Sequence, residues 1–151
     1  MRTLSELRSL PNLISISRLA LAAGFIVVDR TDARIVLVML RDASADQFCE
    51  SVEIGLEANH SEAELERIQP QTQALFAKIR AIGEARKGMR IVLDYSPSAA
   101  ATTLFVDGAA QGEPMQGAEF FRGLLRIWLG ERPAQPDLKR MLLQQSDNEK
   151  E

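Results

Sequence analysis

With 151 residues, 46% of them apolar, the chain is long enough for one domain with its own core, burying roughly 70% of the surface that its unfolded form exposes. Lys and Arg number 18 against 21 Asp and Glu, a net charge of −3 without a basic stripe, so no nucleic acid partner is expected. One cysteine and one histidine exclude an internal disulfide, a cysteine zinc site and a multi-histidine metal centre, and no metal or cofactor is expected.

The run Leu19 to Val28 is apolar, follows Arg2, Arg8 and Arg18, and loosely imitates an export signal. Glu6, the late Arg18, Asp29 and Arg30 spoil the pattern, and the run is too short to span a bilayer. We expect a buried helix or strand pair there and no membrane span. If the run does act as a signal the protein is periplasmic; otherwise it is cytoplasmic.

Arg34 to Leu40 is a continuous apolar run rich in β-branched residues and reads as a central strand. Ser44 and Gln47 form a capping-box pair that opens a helix with Phe48, Val52, Gly55 and Leu56 on one face. Cys49 reads as a small buried hydrophobe and His60 as a solvated or capping residue at a helix junction. After Asn59, Ser61 and Glu64 form a second capping box; Pro70 is expected to break or kink that helix, whose continuation carries Leu75, Ile79 and Ile82 to Gly83 in a helical hairpin. Residues 89 to 113 read as a three-stranded antiparallel meander, with Asp107-Gly108 as a hairpin turn.

The span from about Ala118 to Leu129 is a helix apolar nearly all round, leaving Glu119, Arg122 and Arg126 as a polar stripe in which the arginines pair with Glu119. A carboxylate clamp by Arg122 and Arg126 is the alternative to that stripe. Gly130 stops the helix, and Pro136 opens a short one through Leu138 and Leu142. Asp42 and Asp94 are placed at strand ends and do not read as a catalytic pair.

This order of elements, with Met39-Leu40-Arg41-Asp42, Ala58-Asn59-His60-Ser61-Glu62-Ala63-Glu64, Leu93-Asp94-Tyr95, Val106-Asp107-Gly108 and Leu125-Arg126-Ile127-Trp128-Leu129-Gly130, resembles the chalcone isomerase-like family, particularly its bacterial members. The resemblance implies an α+β fold, an open-faced β-sandwich in which an antiparallel sheet is covered on one side by helices. It divides the chain into a divergent segment 1–33, a domain 34–143 and a polar tail 144–151. It also implies a cleft between sheet and helices that takes an apolar ligand: a chalcone in plant enzymes, a fatty acid in some relatives, haem in some fungal ones.

In the enzymes a strand arginine polarises the carbonyl, and tyrosine, threonine and asparagine side chains order ligand and water, stabilising the enolate charge that develops on ring closure. Here Phe48 falls at the tyrosine position, Gly55 at the asparagine and Gln116 near the threonine, and no early strand supplies a matching arginine. The resemblance therefore implies a non-catalytic binder of a fatty acid or other apolar small molecule, with Phe48, Val52, Gly55 and Tyr95 lining the cleft. The alternative is an active chalcone-flavanone isomerase using Arg18, Tyr95 and Gln116. Loss of the family's first strands would leave a sheet edge open to a strand-pairing partner.

Overall fold

The computed structural model describes residues 24–28, 33–134, 136, 139 and 140. Eleven elements follow in chain order: β1 (Gly24–Val28), β2 (Ala33–Val38), β3 (Ala43–Ser44), α1 (Ala45–Asn59), α2 (Glu62–Ile82), β4 (Glu84–Ala85), β5 (Arg90–Ser96), β6 (Ala101–Val106), β7 (Ala109–Ala110), β8 (Met115–Gln116) and α3 (Ala118–Leu129). The large sheet runs β1-β2-β5-β6-β7, with β8 also on β6, and every pairing is antiparallel. The sheet reaches back to Gly24, since β1 pairs with β2 over its whole length. Within the segment read as divergent, Gly24–Val28 thus forms a strand antiparallel to β2, as its β-branched Ile26-Val27-Val28 allows.

Alternation along the strands sets the two faces. Ile35 and Leu37 of β2 lie opposite Leu93 and Ile91 of β5, which lie opposite Leu104 and Val106 of β6, and all six are buried. Against this face sit the helices: Phe48, Val52 and Leu56 of α1, Ile68, Leu75, Phe76 and Ile79 of α2, and Phe120, Phe121, Leu124, Ile127 and Trp128 of α3 complete one apolar cluster. Each fully buried side chain of this size contributes about 1.5–3 kcal/mol. The opposite face carries Arg34 and Asp94, joined by two hydrogen bonds of 3.1 and 2.9 Å. Asp94 lies inside β5 rather than at its end, where the facing guanidinium on β2 makes a mid-strand carboxylate acceptable.

Both capping boxes form. Ser44 accepts from the Gln47 amide and Gln47 reaches back, and Ser61 and Glu64 do the same for α2. Of the break or kink expected at Pro70, the break is absent: α2 runs as one helix from Glu62 to Ile82. Pro70 and Glu66 are both exposed, so the carbonyl that loses its donor lies on the water side. Gly83 ends α2 at φ 93°, and the chain returns to β3 through the two-residue ladder β3–β4. Beside that ladder the Lys87 amide donates to Asp42 Oδ1 at 2.7 Å, the Gly88 amide to the Met39 carbonyl at 2.7 Å, and the Met39 amide to the Met89 carbonyl at 3.0 Å. The helical hairpin is therefore closed at its neck.

The expected Asp107-Gly108 turn joins β6 to β7, both residues at positive φ (49° and 85°). Asp107 Oδ1 also accepts from the Arg90 amide, fastening the start of β5. No helix among the described residues is long and apolar enough to cross a membrane.

Candidate functional site

The layer between sheet and helices is where the resemblance places a ligand. Phe48 and Val52 lie there, 2% and 3% exposed, inside the continuous core. Gly55 is buried one turn further on, where a Cβ would stand 2.7 Å from Ile127 Cγ2, so α1 and α3 meet backbone to side chain at that point. Tyr95 is half-buried and stacks on Phe121, ring centroids 4.9 Å apart and planes 15° from parallel.

Sheet register separates the polar candidates. Tyr95 lies opposite Thr102, which lies opposite Met115; Ser96 lies opposite Ala101, which lies opposite Gln116. Tyr95 and Gln116 thus stand on opposite faces, Gln116 exposed and giving its main-chain carbonyl to Gln71 Nε2 at 2.9 Å. Arg18 lies outside the described residues. What the register does place beside Tyr95 is Thr102, wholly buried, its hydroxyl without a hydrogen-bond partner among the described residues. Thr102 was missed because a threonine in a strand is ordinary on β-propensity alone.

The polar stripe of α3 is bound to α2 rather than to itself. Arg67 holds Glu119 at 2.8 Å, and Arg126 holds Glu64 at 2.9 Å, in place of the expected pairing of Arg122 and Arg126 with Glu119. The reason is geometric: α2 packs alongside α3 and presents carboxylate and guanidinium directly across the groove. These pairs are about half exposed and worth little individually. The hydrogen bond from the Ser61 amide, then the neighbouring Arg126 and His60, hold the Glu64 carboxyl below its ordinary range.

His60 caps the end of α1. Its Nδ1 donates to the Leu56 carbonyl at 2.8 Å, which leaves Nε2 toward Gly123, where a Cβ would be 3.3 Å away. Burial pushes the Cys49 thiol up, so it stays protonated at neutral pH and acts as a core atom. No group of His, Cys, Asp and Glu among the described residues could hold a metal ion.

An antiparallel sheet with one face under three helices, and an apolar layer between them, defines an α+β open-faced sandwich. The family model described as chalcone isomerase-like matches residues 21–144, and the chain belongs to that family. Its fold is shared by the crystal structure of a fatty-acid binding protein from Arabidopsis thaliana, with a TM-score of 0.57 at 16% sequence identity. That match covers 90% of this chain and 62% of the other, so the chain spans less than two thirds of the plant protein. No curated protein matches the sequence.

Proposed function

We propose that this chain is a non-catalytic member of its family that binds an apolar small molecule of the fatty-acid kind between sheet and helices. The observation that carries the reading is the separation of Tyr95 and Gln116 onto opposite sheet faces, with Phe48, which has no hydroxyl, set in the apolar layer. Ring closure of a chalcone needs polar groups converging on one developing oxyanion, whereas holding an acyl chain needs an apolar wall and one polar end. Phe48 and Val52 supply apolar wall, and the polar end of the layer is the register position where half-buried Tyr95 stands opposite Thr102, whose hydroxyl has no partner among the described residues. The fatty-acid binding relative supports the choice of ligand class.

Native mass spectrometry of the protein purified from cells tests this. A mass increment matching a fatty acid is expected. A haem increment, or loss of chalcone absorbance on adding protein that Arg18→Ala abolishes, would overturn it.

A further inference from the structure

Away from the sheet, two adjoining concavities meet at His60 and Arg126. The larger, about 620 Å³, lies between the end of α1, the last turn of α3 and the segment that follows it. Among the described residues, Arg126, Arg132 and Lys139 line it against a single carboxylate, Glu131, although the chain as a whole carries −3. Glu64, bound to Arg126, borders the smaller concavity.

The wall that carries Arg132 is fixed before any ligand arrives. Asn59 grips its main chain from both sides, Oδ1 accepting from the Arg132 amide and Nδ2 donating to the Arg132 carbonyl, each at 2.9 Å. The Gly130 amide donates to the Arg126 carbonyl at 2.8 Å and the Ala134 amide to the Ile127 carbonyl at 2.7 Å. Gly130 itself is pressed onto Asn59 Oδ1, a contact that a Cβ would prevent. With the backbone fixed, the Arg132 side chain has no hydrogen-bond or ion-pair partner among the described residues. Arg126 gives Nη1 to Glu64 and Lys139 gives Nζ to the Gly130 carbonyl at 2.8 Å, so both keep N–H groups to donate. A preordered backbone lowers the entropic cost of binding, and guanidinium forks suit planar or tetrahedral oxyanions. Ala58 and Leu129 add an apolar wall.

We propose that this groove binds the oxyanion end of a small molecule, a carboxylate or a phosphate, between Arg126, Arg132 and Lys139, with its apolar remainder against Ala58 and Leu129. The site is separate from the sheet-facing layer and does not depend on the function assigned to that layer. Amide NMR titrations of the whole chain at constant ionic strength, one with inorganic phosphate and one with sodium octanoate, test it. Saturable shifts are expected at Asn59, Gly130 and Arg132, and Arg132→Gln, which leaves the Asn59 bonds to the main chain intact, should weaken them about tenfold. Tighter saturation by phosphate identifies a phosphorylated ligand, and by octanoate a carboxylate with an apolar tail. Shifts that fail to saturate, that survive Arg132→Gln unchanged, or that octanoate confines to Tyr95 and Phe121 would overturn the proposal.

Discussion

Gly55 shows how a single position changes meaning between sequence and structure. In the sequence it stands where family enzymes place an amide, and in the structure it is the point at which α1 lets Ile127 approach. Nothing near Gly55 in the chain announces this, because the partner belongs to another helix far downstream. Two effects oppose each other in Gly55→Ala. Helix propensity favours alanine by up to about 1 kcal/mol, while pushing a methyl into a packed contact costs about 1–3 kcal/mol. The overlap with Ile127 at 2.7 Å decides in favour of the second, so Gly55→Ala should destabilise by about 1 kcal/mol, read as a lower urea midpoint at unchanged slope. A gain in stability would mean that α1 and α3 separate more easily than their burial implies.

At the scale of elements, what could be read in advance was what is local. Both capping boxes, the Asp107-Gly108 turn and the span of α3 depend on residues three or four apart, and each forms where the sequence places it. The two-residue strands β3, β4 and β8 show no period long enough to read, and α2 passes through Pro70 because water can serve the freed carbonyl, which no pattern rule records. The Ser61 cap should contribute about 1 kcal/mol, lost in Ser61→Ala and measured by chemical denaturation. Its partner Glu64 adds a pH dependence of known sign. Because its folded pKa is depressed, its contribution is present above the ordinary Glu range and disappears as pH falls through the depressed value. Glu64→Gln keeps an oxygen for the cap without the charge, so its stability should vary less over that acid range than that of the parent chain. Equal acid slopes for the two proteins would count against the assignment.

For the whole molecule, the order of elements was legible and the meeting of distant groups was not. Strand, helix pair, meander and buried helix appear in the expected sequence and give the family's layered sheet, because patterning alone fixes which face of each element is apolar. The candidate site depended instead on register, and one residue of register sends Tyr95 and Gln116 to different faces. Register also ranks the strands. β5 is bonded on both sides, to β2 and β6, with Ile91 and Leu93 buried, whereas β1 and β7 each have one neighbour among the described residues. Hydrogen exchange should therefore be slowest at β5 amides and fastest at β1 and β7, and a uniform rate across the sheet would contradict the topology.

The neck formed by β3 and β4 bears on the order in which the chain assembles. β2 and β5 are sheet neighbours separated by the whole of α1 and α2, so their pairing carries a larger loop-closure cost than the turns at β5–β6 and β6–β7. Once the two helices lie side by side and the neck has zipped, Met39 and Met89 are already adjacent, and most of that cost has been met by short-range steps. A hairpin closed at its neck shortens the loop that β2–β5 pairing must close, which gives the short ladder more bearing on folding rate than its size suggests.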